Sequence, residues 1–499
     1  MSVSEHASDE AVMRNIATGV PGLDAVLGGG LCEYSFNLIA GAPGAGKTTL
    51  VQQILFANAS PNQSALYFTV LGEPTVKMLR YQRQFEFFDP ARVPGSVRFV
   101  NLASEASSGD LDAVLQRIVA EVASGQPAFV AVDSFRTIVG GHRFTAADER
   151  LTIAQFVNRL AQQLTTWEVT SFLIGEYANG EQRHPVFTIA DTILWLSEDV
   201  DRNSAARKLR AVKVRGRSPM PGLHTFRLSA AGVQVFPRIP DQVRPPRDAS
   251  PRLRTGVPGL DEMMGGGIPA GDVVLLTGPA GSGKTTFATH FVAQGLSDGE
   301  SCVVAVFEEY PEAYLARAKT VSDDLDRMVK SGRLAVTYLR PLDLSVDEML
   351  EEIQRAVEQV GATRVVIDSL SGFEVALAPT YRADFRESLY RLVGALTASG
   401  VTVMMTDEVI DAHPGGRFTQ ERVSFITDDI LVQRYVEIGG ALKKVLSVVK
   451  MRGSAHATDF RAYSLTAEGA VIGEPLAQYH GITTGVPVLD AAPETTTRS

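Results

Sequence analysis

The sequence predicts an α/β chain in which one architecture is built twice in tandem, each copy a mainly parallel sheet flanked by helices with antiparallel strands at its end. Three observations support this. "TGVPGLDAVLGGGL" (18–31) returns as "TGVPGLDEMMGGGI" (255–268), and the same displacement of 237 residues carries "GAPGAGKTT" (41–49) onto "GPAGSGKTT" (278–286) and "VKVRG" (212–216) onto "VKMRG" (449–453). Each module is far longer than a solenoid repeat, so the chain is a domain duplication. Short apolar runs alternate with amphipathic stretches, the order of parallel strands joined by helices on both faces. The last third of each module then gives strand patterns without comparable helices.

In module one, "YSFNLIAG", "SALYFTVL", "VRFVNL", "AFVAVDS" and "TSFLIGE" read as strands, rich in apolar and β-branched residues and bounded by turns. Segment 110–124, "DLDAVLQRIVAEVAS", repeats its apolar residues at three and four and reads as a helix. "ADTILWLSE", "RKLRAVKVRG" and "HTFRLS" follow as antiparallel strands. Module two repeats the scheme with "DVVLLTG", "SCVVAVFEE", "RLAVTYL", "TRVVIDS" and "VTVMMTDE". The expected division is a tail 1–16, module one 17–236, a connector 237–254 with five prolines, module two 255–475 and a tail 476–499. Within that last tail "TTGVPVLD" (483–490) echoes the opening of each module, as a docking segment or by coincidence.

Composition narrows the function classes. The chain has 499 residues, 45% hydrophobic and 21% charged, with a net charge of −10, so it lacks the global attraction to nucleic acid or anionic membrane that a basic protein has. Its two cysteines, Cys32 and Cys302, lie far apart without metal-ligand spacing and fit a reducing compartment. The first residues have neither a basic start nor an apolar run, and no stretch approaches the roughly 18–20 apolar residues of a spanning helix. A cytoplasmic location is expected.

Gly41, Gly44, Gly46, Lys47, Thr48 and Thr49 spell G-x-x-x-x-G-K-[ST] with its neighbours, and Gly278, Gly281, Gly283, Lys284, Thr285 and Thr286 spell it again. Glycines let backbone N–H groups curl around phosphate oxygens, the lysine reaches the β and γ phosphates, and the first hydroxyl ligates magnesium. Each match falls between an expected strand and an expected helix, the context the motif requires. Asp133 and Asp368 end apolar strands roughly 85 residues after these loops, where a carboxylate holds magnesium through water. ATP and Mg²⁺ are the expected ligands.

The modules differ after their second strand. Module two reads "VFEE", placing Glu308 and Glu309 where an acid can orient or deprotonate an attacking water or hydroxyl. Which of the two acts is open. Module one has Leu71 and Gly72 there; its nearest acid, Glu73, starts roughly 6.6 Å farther along an extended chain. Module two is therefore the expected site of hydrolysis or phosphotransfer. Lys213 with Arg215, and Lys450 with Arg452, point to one side of a strand near each module's end; such pairs serve as charge stabilisers, in ring ATPases often for a neighbour's nucleotide. Glu176 and Glu408 end matching strands as candidate γ-phosphate sensors.

The tandem modules, "TGVPGLD…GGG" before each phosphate loop, "FEE", "VVIDS" and above all "VVKMRGSAH" resemble the KaiC family of two-domain RecA-like P-loop ATPases, over about residues 17–475. The resemblance implies a homohexamer of two stacked rings with ATP at subunit interfaces, ATPase activity, autophosphorylation in the second ring, and a role in circadian timing or related signalling with a clock or signalling partner. It assigns Lys47, Thr48, Lys284 and Thr285 to phosphate and Mg²⁺, Glu308 and Glu309 to catalysis, and Lys450 and Arg452, with Lys213 and Arg215 in the first ring, to ATP across the interface.

Two departures qualify it. Leu71 and Gly72 replace the family's acid pair in the first ring. In "RVSFITDD" Ser424 matches one phosphoacceptor while Phe425 replaces the other, which leaves one-site modification at Ser424. The competing readings are a RecA-like DNA-repair ATPase, disfavoured by the acidic balance, and a scaffold in which ATP is structural.

Overall fold

The computed structural model describes residues 14–70, 75–107, 110–134, 146–177, 186–201, 204–238, 251–339, 344–377, 379–382, 385–409, 426–467, 469–484 and 487–489. The chain divides into two compact units, Met1–Arg238 and Ile239–Ser499. Leu71, Gly72, Glu73, Ser424 and Phe425 lie outside the described residues.

Unit 1 carries strands β1 (Phe36–Gly41), β2 (Ala65–Thr69), β3 (Val97–Asn101), β4 (Phe129–Asp133), β5 (Thr170–Glu176), β6 (Thr192–Asp201), β7 (Ser204–Val214), β8 (His224–Ser229) and β9 (Gly232–Phe236). They form one sheet in the order β3-β2-β4-β5-β1-β6-β7-β8-β9, parallel through β6 and antiparallel from there to β9. Its helices include α1 (Lys47–Asn58), α2 (Thr75–Gln82), α3 (Leu111–Gly125) and α4 (Ala146–Thr166).

Alternation along β1 decides which helix meets which face. Leu38 and Ala40 enter the core under α3 and α4, while Ile39 faces the core under α1. Both faces are covered, which explains why the parallel strands read as continuous apolar runs. The segment expected to be helical from its period is α3, whose start is set by Asp110, accepting from the N–H groups of Asp112 and Ala113 at 2.9 and 3.1 Å.

Unit 2 repeats the plan with β10 (Val273–Gly278), β11 (Cys302–Val306), β12 (Leu334–Tyr338), β13 (Arg364–Asp368), β14 (Thr402–Glu408), β15 (Asp429–Ile438), β16 (Ala441–Met451), β17 (Arg461–Thr466) and β18 (Gly469–Pro475). The order is β12-β11-β13-β14-β10-β15-β16-β17-β18, again parallel and then antiparallel from β15 onward. Its main helices are α5 (Lys284–Ser297), α6 (Pro311–Ala318), α7 (Val346–Val360), α8 (Leu370–Ala376) and α9 (Phe385–Ala398). The expected α/β class, with two mainly parallel sheets closed by antiparallel strands, is the architecture observed.

Arg252–Leu253, within the expected connector, pairs antiparallel with Ile268–Pro269, as Asn15–Ile16 pairs with Leu31–Cys32. Near the end of the chain Tyr479–His480 pairs with Val488–Leu489, and Ile482 is buried against Val436 and Val445. Among the described residues no helix is long and apolar enough to cross a membrane.

Candidate active site

In each unit the chain leaves the central strand toward one side of the sheet, β1 to β2 and β10 to β11, and later crosses it to add a parallel strand on the other side, β5 to β6 and β14 to β15. At such a switch point the loops diverge and leave a crevice at the carboxyl ends of the strands. The phosphate loops open there. Gly46 and Gly283 adopt φ of 94° and 105° before α1 and α5, a region that favours glycine, and a Cβ on Gly283 would meet Leu465 at 2.8 Å.

The lysine that follows is held the same way in both units. Lys47 Nζ donates to the carbonyls of Gly41 and Ala42 at 3.0 and 2.8 Å, and Lys284 Nζ to those of Gly278 and Pro279, both at 2.9 Å. Burial lowers the pKa of both amines; carboxylates oppose it, Glu176 and Asp133 in unit 1, and Glu408, Asp368, Asp407 and Glu308 in unit 2. Glu176 and Glu408 earn this influence by register, standing opposite Gly41 and Gly278, the last residues before the loops.

The strand-end acids also arrive beside the loops. In unit 1 Thr48 Oγ1 donates to Asp133 Oδ2 at 2.7 Å, so the hydroxyl and carboxylate that would flank a magnesium ion are already in contact. This donor set, hard oxygens beside a phosphate loop, fits Mg²⁺. Tyr67, fully buried in β2, donates its hydroxyl to the same oxygen at 2.6 Å. Burial raises the Asp133 pKa, opposed by the hydroxyls of Tyr67 and Thr48 and by Lys47. In unit 2 Asp368 instead accepts from Thr406, on the opposite flanking strand β14.

Around the second loop a cavity of about 560 Å³ gathers Lys284, Thr285, Thr286, Asp368 and Glu408 with both acids that follow β11. Glu308 Oε1 accepts from Ser369 Oγ at 3.0 Å, and Ser369 caps α8 by accepting from Gly372 N at 3.1 Å. Glu309 forms an ion pair with Arg317 on α6. Burial raises the Glu309 pKa against the pull of Arg317.

The basic pairs do not reach their own loops. Lys213 stands opposite Ile193 near the start of β6, which runs parallel to β1, so it lies at the amino edge of the sheet. The six residues of β1 separate that edge from the loop by about 17 Å at roughly 3.3 Å per residue. Lys450, opposite Ile430 at the start of β15, is placed identically. At this edge Asp191 and Asp428 each accept from the first N–H of the central strand, Phe36 and Val273, both at 3.0 Å. They also pair with Arg215 at 3.1 Å and Arg452 at 3.6 Å, two largely exposed guanidiniums. Lys213 and Lys450 donate to the carbonyls of Thr188 and Thr427.

Four contributors escaped sequence reasoning: Tyr67, Thr406, Ser369 as the partner of Glu308, and Arg317. Tyr67 left one trace, a phenol hydroxyl in the middle of a strand that is apolar up to Thr69. Ser369 and Thr406 meet their partners across 61 and 38 residues and left none, while Arg317 sits only eight residues after Glu309 on the next helix, a spacing that sequence reasoning did not use.

A family model for the KaiC ATPase matches residues 16–239 and 253–477. Among curated proteins, the chain is 27% identical over 492 residues to the circadian clock oscillator protein KaiC of Parathermosynechococcus lividus, covering 97% of this chain and 90% of the relative. It is 27% identical over 496 residues to the circadian clock protein KaiC3 of Synechocystis sp. (strain ATCC 27184 / PCC 6803 / Kazusa), covering 97% and 96%. Identity to KaiC of Prochlorococcus marinus (strain MIT 9313) is also 27%, over 497 residues.

Proposed function

The chain belongs to the KaiC family of ATPases, and from that premise we propose that it binds MgATP in both units and cleaves it in unit 2. One observation carries the reading: a single cavity in unit 2 collects the phosphate-loop lysine and threonine, the strand-end Asp368 and the acids Glu308 and Glu309.

Lys284 and the loop N–H groups hold the β and γ phosphates. Thr285 and Asp368 would hold a magnesium ion, as Thr48 and Asp133 would in unit 1; bound there, the ion would neutralise charge on the phosphate oxygens. Glu308, anchored by Ser369, takes the proton of a water that attacks the γ-phosphorus. The bond to the β–γ bridging oxygen breaks, and ADP and phosphate leave. Unit 1 keeps every binding element but has Leu71 and Gly72 in place of the acids, so it retains nucleotide and turns it over slowly or not at all.

The assembly is a homohexamer of two stacked rings. A basic pair at the amino edge of a sheet cannot serve its own loop about 17 Å away, which supports Lys213, Arg215, Lys450 and Arg452 as contacts to a neighbour's ATP. Unit 2 also phosphorylates Ser424, and the nucleotide or phosphorylation state is read by a clock or related signalling partner.

Phosphate release by the purified chain with MgATP, combined with intact-mass and phosphosite mapping, tests this. Glu308→Gln is expected to lower kcat by about 10²-fold or more while nucleotide stays bound; unchanged turnover overturns the assignment. Modification at Ser424 supports the autokinase, and hydrolysis without it leaves an ATPase switch.

A further inference from the structure

The two acids after β11 are held by different partners, and the difference assigns them different work. Glu308 is tied through Ser369 to the start of α8, so its position follows the strand ends that frame the phosphate loop. Glu309 is tied to Arg317, in the last turn of α6, a helix that starts two residues after it. Both Arg317 and Glu309 line the cavity.

Charge makes this division necessary. The cavity wall carries four carboxylates, Glu308, Glu309, Asp368 and Glu408, against two cations, Lys284 and Arg317. A nucleoside triphosphate adds several more negative charges. A second free carboxylate beside the acid that must take a proton repels the substrate and competes for the attacking water. Unit 1 supplies the contrast: Arg80 occupies the matching place on α2, but Gly72 stands where Glu309 would be.

Building on the reading of unit 2 as the ATP-cleaving site, we propose that Arg317 is a positioning residue: it holds the Glu309 carboxylate to itself and leaves Glu308 as the one acid that faces the reacting phosphate. Arg317 acts through Glu309 and not on the phosphate.

Steady-state phosphate release by the full chain tests this with four variants. Arg317→Ala is expected to lower kcat roughly tenfold with KM for ATP moving less than about threefold, and Arg317→Lys to keep most of kcat. Adding Glu309→Gln to Arg317→Ala is expected to return kcat to within about twofold of Glu309→Gln alone, because the charge that Arg317 restrains is gone. Retention of a fluorescent ATP analogue by every variant checks that the pocket is intact.

If Arg317→Ala lowers kcat by the same factor with and without Glu309→Gln, the guanidinium acts on the phosphate and the inference falls. It falls as well if Arg317→Ala leaves kcat unchanged, or if nucleotide retention and turnover are lost together. A wild type that does not turn over ATP overturns the reading of unit 2 and this inference with it; turnover with the wrong variant pattern overturns only the inference.

Discussion

Beside the first phosphate loop, Glu198 on β6 and Arg207 on β7 stand opposite one another and pair at 3.3 Å. At the matching places beside the second loop, Tyr435 and Lys444 also stand opposite one another but turn to the loop: Tyr435 donates its hydroxyl to the Ala280 carbonyl at 3.3 Å and Lys444 donates to that of Gly281 at 3.0 Å. Tyr463 adds a bond to the Ser282 carbonyl at 2.7 Å, where unit 1 has the purely apolar Phe226. Among the described residues the antiparallel strands of unit 2 thus grip the second loop through side chains, whereas the matching Glu198 and Arg207 of unit 1 pair with each other. The acids differ in parallel, Asp133 taking a hydroxyl from Tyr67 on β2 and Asp368 from Thr406 on β14. A phosphate-loop motif needs only glycines and one lysine and stands in both units, whereas the side chains around it differ between them.

Disabling one loop at a time gives the largest contrast. Lys284→Ala is expected to remove most turnover, on the order of 10²-fold, as for loss of a charge-stabilising group. Lys47→Ala should lower bound nucleotide by one per chain and leave most turnover, measured by phosphate release and by nucleotide stoichiometry after desalting. The reverse outcome breaks the comparison.

A second contrast concerns pH. Asp429, buried at the start of β15 beside Asp272 and Asp428, has its pKa pushed by burial and then by those two charges from 3.8 to about 7; unit 1 has Thr192 there. A carboxyl whose folded pKa is raised holds its proton better when folded, so its contribution is fully present below about pH 4 and lost as pH rises to about 7. Asp429→Asn should therefore raise the unfolding midpoint of unit 2 at pH 8 by on the order of 5 °C, with no gain at pH 4. A gain that does not depend on pH would remove Asp429 from the comparison.

Smaller effects sharpen it. Tyr67→Phe frees Asp133 of one hydroxyl and makes its carboxylate a better acceptor. In a Lys284→Ala background, the Mg²⁺ concentration needed for half-maximal nucleotide retention by unit 1 should fall about threefold, the size of one modest hydrogen bond. Lys444→Ala, which releases a half-exposed grip on the second loop, should weaken ATP-analogue retention by about twofold, while Arg207→Ala leaves the first loop unaffected.

Much of this frame was legible beforehand. The strand runs, the helix starting after Asp110 and both glycine-rich loops rest on local patterns, whereas the strand-end acids were read from their place roughly 85 residues after those loops. The pairing of acids with partners was not. Ser369 meets Glu308 across 61 residues and Thr406 meets Asp368 across 38, contacts set by strand order in the sheet. The amino-edge position of Lys213 and Lys450 is another case: the sequence showed two cations on one side of a strand, and only the register of β6 with β1, and of β15 with β10, told which end of the sheet they occupy.

By itself the sequence determined the duplication, the α/β class and the two glycine-rich phosphate-loop motifs, because periodicity and glycine placement act over short stretches where the backbone answers to its own residues. Tertiary structure alone decided that Tyr67 holds Asp133, that Ser369 meets Glu308, and that the basic pairs stand at the far edge from their own loops. Those facts depend on which strands become neighbours, and neighbours in a parallel sheet are chosen by burying both faces at once, a condition no single segment of the chain can meet.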